Sequence, residues 1–446
     1  MKRLILLIAL IAGLSPAINA QWVSPGNGTT YTLPDLVNVT DGVVTNDGSV
    51  FAFNSDVTIS ANDVLKIDDQ VSRIDAPGVL ITINGTMTCE NTERVKLYGD
   101  MSNQFSMRFE NATNCLLKKM YLSDGAGIKL IESDVTFNDV KFVYFTRDYS
   151  TGVIDIFNCD PEINNCYFML NDGPAVTSPA NGQASPKILN CQLDTNVKDG
   201  NTPQINLGPG GNDTIYIIGN EIYTIMAQWY VGGISVADLM GVGSTKVLLK
   251  NNIVKDNRYG YNQPGATISS VIGGNQFINN NHESNPMNGG SGISIYGTTA
   301  NNKAILRNNV ITGNLWGITA IYIHDIDLGT IDDWGYNEIH DNGNGGEVYD
   351  LYNNSACDIM AVGNDWGATD MERIEDHIYH QVDDPNLGLV TFVPYVGGDD
   401  GIGEISEEAK ILNNNLFYTI EGRCLGAKLP ENYKGVYILN GKKFVK

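Results

Sequence analysis

The amino-acid sequence predicts an all-β chain wound as a parallel β-helix, and three observations lead there. A seven-residue frame returns along the middle of the chain: NNIVKDN (251–257), NQFINNN (275–281), NNVITGN (308–314) and NEIHDNG (337–343). The opening asparagines of successive copies, from Asn114 to Asn364, lie 24 to 33 residues apart, which is the length of one solenoid coil. Short runs that alternate apolar and polar residues stand near the frames and after glycines, as in GISIYG (292–297), GITAIYI (317–323) and GGISVAD (232–238). Leucine-rich repeats have a similar length, but their leucine column is missing, and no helical period of apolar residues appears.

The first twenty residues, MKRLILLIALIAGLSPAINA, carry a basic start, an apolar run and a small residue at Ala20, the pattern of a secretory leader cut before Gln21. Residues 21–61 have strand-like runs but no asparagine frame, and are expected to cap the solenoid so that its first strand edge is covered. Residues 62–396 are expected to form the coils. The acidic, glycine-rich stretch 397–410 reads as a linker and 411–446 as a small separate β module.

Within the frame, Asn251, Asn275, Asn308 and Asn337 form one column. Ile253, Phe277, Val310 and Ile339 form a second, two residues on. A third holds Asn257, Asn281 and Asn314, and takes in Asn342 after a slip of one residue. Asparagine tolerates the left-handed backbone of sharp turns, and its amide can bond both its own turn and the same amide one coil away. The columns therefore predict a structural asparagine ladder. Cys115, Cys166 and Cys191 each follow a frame asparagine and are expected to stack as small, free thiols. Seven cysteines in a chain of 446 residues do not resemble a disulfide framework, and none is spaced with histidine as a zinc site.

The formal charge is −23, and loss of Lys2 and Arg3 with the leader makes it about −25. Such a surface repels phosphate backbones and anionic lipid, so nucleic acid is excluded as the expected partner. A polyanionic glycan would need a local basic patch or bridging cations.

The repeats, together with the closing stretch NDWGATDMERIEDHIYHQVDDPNLGLVTFVPYV (364–396), resemble right-handed parallel β-helix proteins of the pectate-lyase-like superfamily. There an Asn-x-Trp-Gly, a helix, a DDP turn and a final strand end the solenoid; here those residues are Asn364, Trp366, Gly367, Asp383, Asp384 and Pro385. The tail, with FYTIEGRCLG (417–426) and KGVYILNGKKFVK (434–446), is similar to the type A sorting modules of exported Bacteroidetes proteins, though shorter. The resemblance implies a glycan as partner, and for the enzymes a basic residue acting beside a carboxylate-held Ca²⁺, or grouped aspartates.

None of those catalytic sets is present as such. Asp332 and Asp333 are neighbours in sequence only, which in a strand would place them on opposite faces. The basic candidates are Lys255 and His340 in one column, and Arg258 and His282 on adjacent coils with Asp256 and Asp341 beside them. His324 with Asp325 is a further pair, and Trp229 and Trp316 could stack on sugar rings. Each has a plainer alternative as a turn or packing residue. The sequence thus supports an exported carbohydrate-binding or adhesive β-helix protein, with a polysaccharide lyase or glycoside hydrolase as the alternative and Ca²⁺ compatible with either.

Overall fold

A computed structural model describes residues 21–198, 200–226, 230–241, 244–283, 285 and 288–398, and in the tail 417–419, 424–426, 428–429, 434–439 and 442–445. The leader, Trp229 and most of the linker lie outside the described residues. The chain divides into two compact units, 1–396 and 397–446.

The larger unit is a parallel β-helix, as the repeats predict. Each middle coil supplies three short strands, exemplified by Pro203–Leu207, Thr214–Ile218 and Glu221–Tyr223, then Gly232–Val236, Thr245–Lys250 and Ile253–Lys255. Each strand pairs in parallel with its counterpart one coil on, so three sheets run the length of the unit. Alternation of side chains along each strand sends one residue column inward. In the first sheet that column is Ile205, Ile234, Tyr261, Ile293, Ile318, Leu351 and Ile378; in the third it is Phe168, Leu193, Ile222, Val254, Phe277, Ile311 and Ile339. All are buried, so each coil closes its core only against its neighbours.

The asparagine ladder exists, but its register differs from the expected one. The side chains that bond one another from coil to coil are Asn220, Asn252, Asn275, Asn309, Asn337 and Asn364, each Nδ2 donating to the next Oδ1 at 2.8–2.9 Å. Asn251 and Asn308 are instead the preceding residues, with φ of +54° and +57°. They share the left-handed position with Asn165, Asn190, Gly219, Gly274, Tyr336 and Gly363, where asparagine and glycine cost least. The doublets Asn251-Asn252 and Asn308-Asn309 hide the slip: the turn needs one asparagine for its backbone and another for the ladder.

A second ladder runs through Asn257, Asn280, Asn314 and Asn342, at 3.0–3.2 Å. Asn280 takes the place expected for Asn281, whose exposed side chain bonds Gly313 O at 2.8 Å. With this register every first-ladder asparagine from Asn252 to Asn337 precedes its second-ladder partner by five residues, and no slip is needed. Upstream, Cys166 and Cys191 occupy the first column, opposite each other on neighbouring coils, and are free and buried. Cys115 is also free, but it pairs across to Val135 in a different column, so the expected stack holds two cysteines and not three.

The region 21–61 is more than a cap. Trp22–Val23 and Thr30–Thr32 already pair with Val57–Ile59 and Val64–Ile67 as coil strands. The covering element is the helix Leu33–Val39, which starts in a capping box at Thr32 and Asp35 and buries Leu33 and Leu36 over the end of the core. At the other end Trp366 is buried against Phe392, the helix Met371–Glu375 follows, and Asp383 accepts the His380 backbone N–H at 3.0 Å. The smaller unit contains a four-stranded antiparallel sheet of Phe417–Thr419, Cys424–Gly426, Val436–Leu439 and Lys442–Val445. Among the described residues no helix is long and apolar enough to cross a membrane.

Candidate functional site

The outward column of the first sheet is polar for most of its length. Asp155, Thr177, Asn206, Ser235, Asn262, Ser294 and Thr319 follow one another in register, and Tyr352 and Tyr379 complete the row. Hydroxyl and amide groups repeat there at about the 4.8 Å strand spacing. Thr177, Ser235 and Thr319 in this row are largely buried, and Asp155, Asn206, Asn262 and Ser294 are half-buried.

Toward the C-terminal coils the face becomes aromatic. Tyr352 stacks on Tyr379 with centroids 4.7 Å apart and planes 8° from parallel, and Trp316 stacks on Tyr349 at 5.2 Å and meets Tyr352 edge-on at 4.5 Å. Between this cluster and the polar column lies a cleft of about 290 Å³, lined among others by Asn262, Ser294, Thr319, Asn354 and, from the lengthened loop 282–292, Asn288 and Gly289. Trp316 is only 9% exposed, so it forms the floor on which the tyrosines lean. Of the three tyrosines, all half-buried, Tyr352 lines the cleft itself, while Tyr349 and Tyr379 pack against its ring. Such a surface can stack a pyranose ring and bond its hydroxyls.

The expected basic residues are placed differently. Lys255 and His340 do share a column, through Ile278 and Thr312, but it belongs to the third sheet and not to the aromatic face. Each is held by its own carboxylate: Lys255 Nζ by Glu221 at 2.7 Å, which raises its pKa, and His340 Nδ1 by Asp341 at 2.9 Å. Two intervening coils separate them, so they do not form a joint site.

Arg258 and His282 stand on adjacent coils at the loop wall, as the spacing predicts, yet Arg258 makes its contacts elsewhere. Its guanidinium bonds Asn201 Oδ1 and Asn288 O, and its Nε lies 3.9 Å from Glu283. It acts as a strut that ties two loops together beside the cleft. The His282 backbone N–H reaches Asn257 O at 3.3 Å, its Nδ1 is buried without a partner, and burial holds its pKa down, opposed by Asp256. His324 and Asp325 are not a pair. Adjacent strand residues point to opposite sides, so His324 is buried with Nε2 2.7 Å from Ser355 Oγ, while Asp325 bonds the exposed Lys303 at 2.8 Å.

The tyrosines and the polar column belong to no contiguous motif of the sequence. Their signal was the outward position of each first-sheet strand, as in Tyr352 of DLYNN and Tyr379 of HIYH, visible once register was known. Among the described residues no group of three or more His, Cys, Asp or Glu side chains is placed to hold a metal ion.

A family model described as a protein of unknown function (DUF1565) matches residues 261–371, the coils that carry the aromatic cleft. No curated protein matches the chain by sequence. Among solved structures, the periplasmic alginate epimerase AlgG is 12% identical, with a TM-score of 0.43, over 82% of this chain and 83% of that one. A point mutant of the same epimerase gives 11% identity and a TM-score of 0.49, over 82% and 84%. A PL6 alginate lyase in complex with a trisaccharide gives 13% and 0.33, over 96% and 92%.

Proposed function

We propose that the first-sheet face from Asn262 to Tyr379 is a glycan-binding groove and that the chain is an exported carbohydrate-binding or adhesive β-helix protein. The observation that carries this is the cluster Tyr349, Tyr352 and Tyr379 on its Trp316 floor, set at the end of a row of hydroxyl and amide side chains. The sequence at 1–20 and the sorting-like tail fit delivery to the cell surface.

The alternative is a polysaccharide lyase or hydrolase. It draws on His282, a half-buried imidazole on the coil next to that of Arg258, whose Nδ1 is buried without a partner and whose pKa burial lowers, able in its neutral form to accept a proton. A Ca²⁺ brought with an acidic substrate would neutralise the carboxylate that such chemistry requires.

The test is a glycan array followed by calorimetry on residues 21–446, with and without Ca²⁺, and a parallel assay for new reducing ends and unsaturated products. Binding without turnover, lowered about tenfold or more by Tyr352→Ala at unchanged melting temperature, supports the binding protein. Turnover lost in His282→Ala supports the enzyme. Binding that Tyr352→Ala leaves untouched removes the groove.

A further inference from the structure

We infer that the same sheet face carries, upstream of the aromatic cleft, a subsite for an anionic substituent of a glycan, a carboxylate or sulfate, held by Arg147. On this very acidic chain the described arginines within the coils almost all find a carboxylate: Arg73 with Asp75, Arg94 with Asp139, Arg108 with Glu110, Arg258 with Glu283, and Arg307 with Asp327 and Asp333. Arg147 is half-buried and has none within ion-pair distance among the described residues. Its one hydrogen bond to a described residue runs from Nη2 to Thr202 Oγ1 at 3.2 Å.

Asp148, next in the chain, is exposed and makes no ion pair with Arg147, and two further acids have other partners. Asp155 accepts from Thr151 Oγ1 at 3.2 Å and from Thr177 Oγ1 at 2.8 Å, and Asp172 lies 3.5 Å from Lys198 Nζ. Nε of Arg147 is buried without a partner, close to the turn at Gly173, where an added Cβ would come within 3.1 Å of it. Arg147 lines a cleft of about 480 Å³ together with Thr177, Ser178, Thr202 and Asn206 and with apolar residues such as Pro179 and Leu239. A half-buried cation without a counter-charge among the described residues, with hydroxyl and amide groups in the lining of its cleft, suits an oxyanion that accepts hydrogen bonds from the Nη protons.

Thr177 and Thr319 stand five strands apart in one column, about 24 Å at the usual spacing, so an extended oligosaccharide could occupy both clefts. This inference rests on the groove reading for the polymer, and on Arg147 alone for the charge.

Calorimetry on residues 21–446 tests it with four probes: an oligouronate, a sulfated galactan oligomer, a neutral glucan of the same length, and inorganic sulfate. At least one anionic oligomer should bind about tenfold or more tighter than the neutral one, and Arg147→Ala should erase that ratio while moving neutral affinity by less than about twofold. Arg147→Lys should restore part of the ratio. Equal affinity for charged and neutral oligomers in the unmodified protein, or a ratio that survives Arg147→Ala, overturns the subsite. Inorganic sulfate binding as tightly as the sulfated oligomer overturns its assignment to a glycan. Should Arg147→Ala not fold, Thr202→Val, which removes the hydroxyl that aims Nη2, must lower the ratio; an unchanged ratio counts against the subsite. Anionic binding with no neutral binding at all sinks the aromatic groove and leaves Arg147 standing.

Discussion

Asp350 closes the second asparagine ladder through Asn342. Its Oδ1 accepts the Asn342 Nδ2 proton at 2.8 Å and the Asn342 backbone N–H at 3.2 Å, while Oδ2 lies 3.1 Å from His377 Nδ1. A row of carboxamides is a chain of donors and acceptors, and it ends here on a fully buried carboxyl. At the upstream end the coil of Asn220 carries Ile225 where an asparagine is due. Gln204 spans that gap, accepting from Asn196 at 2.8 Å and donating to Asn257 at 3.3 Å.

Burial pushes the Asp350 carboxyl up to about 6, against the pull of Asn342 and His377. The folded chain then keeps the proton to a higher pH than the unfolded chain, where the group titrates near its usual value. Its contribution to stability is present at low pH and is lost as pH rises from about 4 through about 6, by something on the order of 1–3 kcal/mol. Melting profiles of the wild type and Asp350→Asn should therefore differ in slope across that window. Parallel profiles would show that the carboxyl does not titrate there.

Asn275→Leu should lower stability by about 1 to 3 kcal/mol, because it strands Leu249 O, the Asn252 amide and Asn309 Oδ1 without their partner. Asn251→Gly should be neutral within about 0.5 kcal/mol, since Asn251 contributes a left-handed backbone that glycine adopts freely. Urea unfolding of both variants checks the register. Equal losses would contradict the assignment of Asn275 to the ladder and Asn251 to the turn.

The fold was legible because a solenoid repeats its local rules, so one frame read four times outweighs the ambiguity of any single strand. The register was less legible. In NNIVKDN both Ile253 and Val254 are apolar, and the alternation that decides which faces the core has nothing to distinguish them; only pairing with Phe277 places Val254 inside. The site was least legible, because a binding face made of one residue per coil has no contiguous motif. Tyr349 and Tyr379 lie thirty residues apart in sequence and 6.2 Å apart as rings. The charged residues are more conspicuous in the sequence, but Lys255, His340 and Asp325 are each satisfied by a partner of opposite or complementary charge.

Truncation after Val396 should leave the β-helix folded, with a melting temperature within about 3 °C of the full chain, which corresponds to about 2 kcal/mol for a unit of this size. The two units are separately compact, and the smaller has its own antiparallel sheet. Circular dichroism and calorimetry of residues 21–396 decide the matter. Loss of cooperative melting would make the tail part of the solenoid's closure.

Arg258 and His282 are predicted to separate by mutation, although the sequence places them together. Arg258 ties Asn201 to the backbone of Asn288, and Asn288 lines the aromatic cleft. Arg258→Ala should therefore raise amide hydrogen exchange in 281–290 and weaken glycan binding about three- to tenfold, on the order of 1 kcal/mol, by loosening a wall that must otherwise be ordered on binding. His282 touches neither the cleft nor Arg258 in any described contact, and its half-burial disfavours the charged imidazole. His282→Ala should leave binding affinity unchanged between pH 5 and 8. A pH-dependent affinity that disappears in His282→Ala would return the imidazole to the centre of the site, and loop exchange unaffected by Arg258→Ala would take the strut away.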